Sequence, residues 1–468
     1  MQKQPLSRYN LLRDVIAITL IITSLLIYFF PIAFDPTPTS HYTWVHFHFM
    51  SILQNTTPRD FFVGYSYLYH DGENIYPHYF NRYSPLTNIL LYYLLPDLSL
   101  QARIFAIKAF FTGIYIGNCI CVYLIARLSG LTSVAAASLF FFVAAQHYFL
   151  YPKDMAHFDQ MALLGLFVQI LLLMSGRKLA FFIFTIFALH LGRNFMLILT
   201  SLCFYTCSSI KERSFKYIGL LAIHLASFLL SFGYNVLIEI KITGASLLDT
   251  SILNTFQRRT GIVPDERISH ADWPSYAKTI VERIGDGVIL NTPKVSNSTL
   301  PKLVGIPAVI FIVSLILLQA HRFYRDCTFF AVVLPAIIFF SLAKGLIFFH
   351  DYTLMWLIPM FTYVLSQGIV LGNEWVAPGL PSLKILLLLA AGFYFGLALY
   401  LDRSWKEQRH AKGVIERIQS DAHLVKEGAK VCMKGINHHS LNALLPGAIY
   451  AQQDCDFILS RTGISARK

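Results

Sequence analysis

Ile75-Tyr76-Pro77-His78-Tyr79-Phe80-Asn81-Arg82-Tyr83-Ser84-Pro85-Leu86 closes a polar stretch that runs from about residue 35 to residue 101 and leads into the apolar run Ile89–Leu95. The stretch is crowded with His, Tyr, Phe, Asp and Pro, whereas most of the chain consists of apolar segments joined by short polar turns. A transporter tends to keep its chemistry at the bilayer midplane. A large aromatic and titratable loop at the membrane surface points instead to a protein that works on something there, so the expectation is an integral membrane enzyme.

Composition agrees. The 468 residues are 55% hydrophobic, 15% aromatic and only 14% charged, with a mean hydropathy of +0.54, against roughly 25% charged residues in a soluble domain. The net charge of +12 is not read as a nucleic-acid signal, because in a membrane protein the placement of Lys and Arg matters more than their sum. Lys3, Arg8 and Arg13 precede the apolar run Val15–Phe34. That run is long enough to span and no small-residue cleavage site follows, so it reads as an uncleaved first helix.

The requirement of about twenty apolar residues per span places helices near 15–34, 103–126, 131–150, 158–175, 216–236, 302–320, 327–348, 352–371 and 383–401. Between Leu179 and Cys207 the apolar run is broken at His190, Gly192, Arg193 and Asn194. A single helix would bury Arg193 at its middle, which is costly, so two shorter helices meeting in a polar hairpin are expected. The fold class is therefore an all-α polytopic membrane protein of about eleven spans. With the N-terminus inside, Arg127, Arg177, Lys178, Lys211, Arg213, Lys216, Arg322 and Arg325 all fall on short cytoplasmic joints, as the positive-inside tendency requires. The loops 35–101 and 237–301 and the tail from Asp402 are then external. In the second loop Gly285 and Gly287 mark a turn, and the loop is long enough for short helices lying on the membrane.

The membrane part is expected to occupy residues 1–402, and residues 403–468 a small external domain that leans on it. Arg403–Lys430 has helical periodicity and Lys430–Leu459 reads as short strands and turns. Cys119, Cys121, Cys203, Cys207 and Cys327 fall in or beside apolar spans and read as core residues. Cys432 and Cys455 lie in the polar tail, where an external location would permit a disulfide.

The stretch quoted at the outset also carries a resemblance. A polar segment past the first span, rich in Tyr and Pro and ending in Pro-Leu before an apolar helix, resembles the first external loop of the GT-C membrane glycosyltransferases, notably the bacterial relatives of protein O-mannosyltransferases and the lipid A aminoarabinose transferase. Tyr148-Phe149-Leu150-Tyr151-Pro152-Lys153-Asp154-Met155-Ala156-His157-Phe158-Asp159 is similar to that family's second external joint. His350-Asp351-Tyr352 is similar to the segment heading a late helix, and the hairpin His190–Asn194 to its paired short helices. The resemblance spans roughly residues 10–400. One departure stands out: where the family shows an Asp or Asp-Glu pair in the first loop, this chain has Ser40-His41-Tyr42, with Asp35 five residues upstream. Either Asp35 or His41 takes the role, or the activity is lost or changed.

The resemblance implies transfer of a sugar from a polyisoprenyl-phosphate carrier to a lipid or glycan acceptor outside a bacterial cytoplasmic membrane. Such chemistry needs a base to draw a proton from the acceptor hydroxyl and cations to hold the departing phosphate. The base candidates are Asp35, Asp60 and Asp159, with His41 as substitute for the first. Arg82, Lys153 and Arg193, assisted by His350, are candidates for the phosphate, since guanidinium suits bidentate phosphate contacts. Tyr76, His78, Tyr83, Asp351 and Tyr352 are candidates for contact with substrate. The plainer roles for the same residues are aromatic-belt anchors, a helix exit at Asp35, and lipid-headgroup contacts at Arg82 and Arg193. His41, His46 and His48 do not share a helix face, so neither a cofactor nor a metal is expected; a divalent ion is the alternative. Membrane lipids are the remaining partner. Two rival functions are an O-antigen ligase or polymerase, in which Arg258, Arg259 and Arg267 would be reactive, and a transporter or flippase.

Overall fold

Helices form wherever the apolar runs are long, and a six-stranded sheet forms from short segments of the first loop and of the tail. The computed structural model describes residues 8–34, 43–56, 58, 64–71, 73–79, 85–94, 98, 100–146, 150, 158–191, 195–244, 246–247, 257, 273–288, 300–323, 326–342, 351–375, 381–401, 404–434, 441–461 and 463–466. In chain order the described elements are α1 (Arg8–Phe34), α2 (Thr43–Gln54), β1 (Tyr65–His70), β2 (Ile75–Tyr79), α3 (Pro85–Leu94), α4 (Leu100–Leu128), α5 (Ser133–Ala144), α6 (Phe158–Met174), α7 (Lys178–Ala188), α8 (Phe195–Glu212) and α9 (Lys216–Thr243). They continue with α10 (Trp273–Val288), α11 (Leu300–Arg322), α12 (Cys327–Leu342), a 3-10 turn (Asp351–Leu357), α13 (Ile358–Trp375), α14 (Pro381–Leu401), α15 (Ser404–Asp421), β3 (Lys430–Lys434), α16 (Leu441–Leu444), β4 (Ile449–Ala451), β5 (Phe457–Ser460) and β6 (Gly463–Ala466).

Helices stand at each of the eleven expected positions, including the break between α7 and α8. The count of eleven spans does not follow from them. Among the described residues four segments, 105–128, 216–241, 304–321 and 354–372, are long and apolar enough to cross a membrane, and the apolar segments in α5, α6, α7, α12 and α14 are shorter. At 1.5 Å per residue the 12 residues of α5 reach about 18 Å, well short of a hydrocarbon core of about 30 Å. The four long segments and the outward-facing leucines and isoleucines on α9 and α11, such as Leu229, Leu230, Ile310 and Leu317, identify an integral membrane protein, because apolar faces of this extent are not left in water.

One core runs through the bundle. It joins Ile21 and Leu25 of α1, Tyr115 and Val122 of α4, Phe140 of α5, Leu163 and Phe167 of α6, Phe329 of α12 and Leu354–Ile358 ahead of α13. At one end α1, α4 and α5 are tied by a single carboxylate. Arg127 Nε donates to Asp14 Oδ1 at 2.7 Å and Nη2 to Oδ2 at 3.0 Å, while Tyr123 and Ser133 donate hydroxyls to Oδ1 at 2.7 and 2.8 Å. On the joints α6–α7 and α8–α9, Lys178 and Lys216 flank Glu212. The Tyr217 hydroxyl, 2.5 Å from Glu212 Oε2, and Lys178 hold that carboxyl down at about 2.

The opposite end is built differently. The 35–101 stretch folds into α2, a β-hairpin and α3. At the hairpin turn, backbone N–H groups of Asn74 and Glu73 donate to Asp71 Oδ1 at 2.8 and 2.9 Å, which lowers the Asp71 pKa. The hairpin then joins the tail: the strand order is β2-β1-β4-β3-β5-β6, with β1 parallel to β4 through Leu68↔Ile449 and Tyr69↔Tyr450. The first loop and the C-terminal tail, read as separate from the sequence, therefore share one sheet. A second core welds this layer to the bundle through Phe49 and Met50 of α2, Ile107 and Phe111 of α4, Met161 of α6, Ile415 and Ile418 of α15, and Val431, Leu441 and Leu459 of the tail. Cys432 and Cys455 are joined in a disulfide with Cα atoms 5.6 Å apart.

The expectation of a turn at Gly285 and Gly287 is overturned, since α10 runs unbroken to Val288. The reason is packing. Helix α10 lies along α11 so closely that a Cβ on Gly305 would stand 2.1 Å from the Val281 carbonyl oxygen and 3.0 Å from its carbon. A small residue lets two membrane helices approach at this separation. Gly305→Ala is accordingly expected to push the helices apart and cost about 1–3 kcal/mol, read as a fall in the thermal midpoint of the detergent-solubilised protein; an unchanged midpoint would show that the two backbones are free to part.

Candidate functional site

The end of the bundle under the sheet is where segments singled out in the sequence meet. Helix α3 starts at the Pro85-Leu86 that closes the quoted stretch, and its Thr87 is fully buried. The Thr87 hydroxyl donates to the Leu191 carbonyl at 2.6 Å and lies 3.6 Å from Met161 Sδ. Leu191 belongs to the α7–α8 hairpin and Met161 to the first turns of α6. One hydroxyl therefore brings together the end of the first loop, the start of α6 and the polar hairpin. These segments lie far apart in sequence, and Thr87 sits 104 residues from Leu191.

Asp159 lies in the first turn of α6 and is 6% exposed. A carboxylate there is favoured by the partial positive charge of the helix N-terminus. The next residue, Gln160, is also buried, and its Oε1 accepts from Asn118 Nδ2 of α4 at 3.4 Å. Asn118 Oδ1 lacks a described hydrogen-bond partner, and a buried oxygen left so costs about 1–3 kcal/mol. His48 of α2, Asn88 of α3, and Lys108 and Thr112 of α4 are buried polar side chains as well, on the helices whose Phe49, Leu91, Ile107 and Phe111 pack with Met161 in one core.

Lys108 is not among the residues singled out in the sequence. It is fully buried, one turn from Phe111 and Thr112 on α4. A signal for it exists: a lone Lys in the apolar run Ile104–Phe111 is a marked position in a membrane protein, because an ionisable group placed in an apolar span serves function by default.

The other expected site residues divide. Tyr76 and His78 lie on the edge strand β2. The exposed His78 ring stacks on Tyr67 with centroids 4.7 Å apart, and Tyr67 in turn meets Tyr450 edge-on at 5.7 Å, so His78 belongs to the aromatic face of the sheet. Asp351 and Tyr352 open the 3-10 turn ahead of α13, whose following residues Leu354–Ile358 are buried in the bundle core. Asp35, His41, Asp60, Arg82, Tyr83, Lys153, Arg193 and His350 lie outside the described residues, as do Arg258, Arg259 and Arg267. Among the described residues no three His, Cys, Asp or Glu side chains gather as a metal site.

At the tip of α7, His190 Nε2 lies 3.1 Å from Ser227 Oγ of α9, and burial holds its imidazole pKa below the ordinary value. The native state then resists protonation while the unfolded chain does not. Stability contributed by the neutral ring is complete above about pH 6.5 and is lost as pH falls below it. The thermal midpoint is expected to drop between about pH 7.5 and about pH 5.5, and His190→Gln should flatten that part of the profile; an identical slope in the variant would assign the loss to other groups.

No protein-family model matches the sequence, and no curated protein matches it. Among solved structures, the apo crystal structure of the oligosaccharyltransferase of Archaeoglobus fulgidus is similar over 95% of this chain, with a TM-score of 0.50 at 13% identity. The match takes in 65% of the archaeal chain, so this protein spans a little under two thirds of that enzyme's length. At such identity the likeness speaks for the fold alone: this chain shares the architecture of the matched part of that structure.

Proposed function

We propose that this protein is a membrane glycosyltransferase that takes a sugar from a polyisoprenyl-phosphate carrier and passes it, with inversion, to a lipid or glycan acceptor on the external face of a bacterial cytoplasmic membrane. The observation that carries the reading is the junction at Thr87. It brings the Pro-Leu end of the first loop, the α6 start bearing Asp159 and the α7–α8 hairpin to one place, packed with Ile107 and Phe111, the neighbours along α4 of buried Lys108. The fold likeness to an oligosaccharyltransferase supports it.

In this scheme a carboxylate, Asp159 or Asp35, takes the proton from the acceptor hydroxyl, with His41 as substitute for Asp35. The freed oxygen attacks the anomeric carbon, the bond from that carbon to the phosphate oxygen breaks, and the lipid phosphate leaves. Arg82, Lys153, Arg193 and His350 would hold the departing charge, with Tyr76, His78, Tyr83, Asp351 and Tyr352 against the substrates. The Cys432–Cys455 disulfide supports an external tail, because such bonds persist in oxidising compartments. The basic joints support a cytoplasmic N-terminus.

The test is a transfer assay in proteoliposomes with a labelled polyprenyl-phosphate sugar and a lipid-extract acceptor. Label appearing on an acceptor, with release of polyprenyl phosphate, is the expected result. Turnover of a polyprenyl-diphosphate glycan instead would favour a ligase or polymerase. Movement of the labelled lipid across the bilayer with no new covalent product would establish a transporter.

A further inference from the structure

We infer that Cys207 and Cys327 are a thiol pair that closes to a disulfide when a low-molecular-weight disulfide oxidant reaches the basic end of the bundle, strapping α8 to α12. Their Sγ atoms lie 2.6 Å apart although 120 residues separate them in sequence, so a bond of about 2.05 Å needs an approach of only about half an ångström. The remaining free cysteines, Cys119, Cys121 and Cys203, are buried.

The pair is held in place from both sides. Cys327 is the first residue of α12, and the start of that helix is fixed by Asp326, whose Oδ1 accepts the Thr328 N–H at 2.9 Å. Cys207 lies on α8 beside a packed cluster of Leu173, Phe181, Phe204, Tyr205 and Ala331 that joins α8 to α12. Lys211, one turn further along α8, and Asp326, just ahead of α12, place the pair at the polar end of these two helices. Cys207 is half-buried and Cys327 buried, which sets the order of events. The Cys207 thiolate attacks one sulfur of the oxidant and releases the first small thiol. The Cys327 thiolate then attacks the Cys207 sulfur of the mixed disulfide and releases the second. Two protein thiols become one disulfide, and one small disulfide becomes two small thiols. The contrast with Cys432–Cys455 is one of compartment: on the topology proposed above, this end faces the cytoplasm, where thiols are kept reduced, so the bond forms only on an oxidative excursion.

The strap would act on helices that reach the polar junction. Helix α8 begins just past the hairpin that Thr87 holds, and α12 precedes the turn that opens at Asp351.

The full-length protein, reconstituted in liposomes with oxidised glutathione on both sides, is blocked with maleimide, denatured and digested for mass spectrometry. The expected result is a cross-linked pair of peptides containing Cys207 and Cys327, two hydrogens lighter than the separate peptides, that disappears with dithiothreitol. After oxidation the wild type should show two fewer reactive thiols than the same protein before oxidant, in which Cys432–Cys455 is already closed, a readout that needs no variant. Cys207→Ser and Cys327→Ser should each abolish the linkage and Cys203→Ser should leave it. An unchanged thiol count, a glutathione adduct that persists on Cys207, or a Cys203–Cys207 link would each overturn the inference. None of these readouts depends on sugar transfer, so failure here and failure of the glycosyltransferase reading are separable.

Discussion

Asp159→Asn is expected to slow sugar transfer by about 10²- to 10⁴-fold, the usual contribution of a general base. The amide keeps the size of the side chain and an oxygen that accepts hydrogen bonds, but it cannot take up the acceptor proton. Asp159 is the base candidate that the described residues include, a first-turn carboxylate, almost wholly buried, two residues before the Met161 that meets Thr87. The expected signature is a fall in kcat with the donor KM and the thermal midpoint nearly unchanged. A variant that loses stability and activity together would show Asp159 to be an anchor of α6. Asp35→Asn is the parallel variant. Wild-type rates in both would sink the assignment of the base to either carboxylate.

Arg127→Ala is expected to cost about 3 kcal/mol, near the low end for breaking a buried ion pair, since the two side chains keep 19% and 14% exposure. The loss arises less from the pair itself than from what remains. Asp14 would retain the Tyr123 and Ser133 hydroxyls but no compensating charge, and the Leu131 carbonyl would lose the donor it has in Arg127. Because α1, α4 and α5 meet at this point, the effect should appear as a lowered thermal midpoint and as faster proteolysis of the α4–α5 joint. Removing both charges with Asp14→Ala in addition should restore part of the stability, since no carboxylate is then stranded. Strict additivity of the two losses would show that the groups do not act on one another.

Much of the helical framework is legible because apolar runs long enough to cross or enter a membrane leave a plain mark on the sequence, and because a charge in mid-span, as at Arg193, forces a break. The basic joints are legible for the same reason, and Lys178 and Lys216 do meet across neighbouring joints at Glu212. The site is less so. Asp159 is marked by a motif at a helix start, and Lys108 only by its lone charge in a run whose other residues read as ordinary span. The continuity of α10 across Gly285 and Gly287 is hidden too, because two glycines signal a turn locally, while the close approach of α10 to α11 that favours small residues is not visible along the chain.

Composition and the lengths of the apolar runs suffice to establish a membrane protein, the positions of its long apolar helices and a tail with two cysteines able to pair. The packed fold was needed to reveal that the hairpin of the first loop and the strands of the tail form one sheet, that Thr87 closes on Leu191, and that Cys207 meets Cys327. The physical reason is the range of the forces involved. Burial of apolar surface is written into each segment separately by its own composition, whereas strand pairing, a hydroxyl reaching a carbonyl and two sulfurs in contact depend on which distant segments the packed bundle brings side by side.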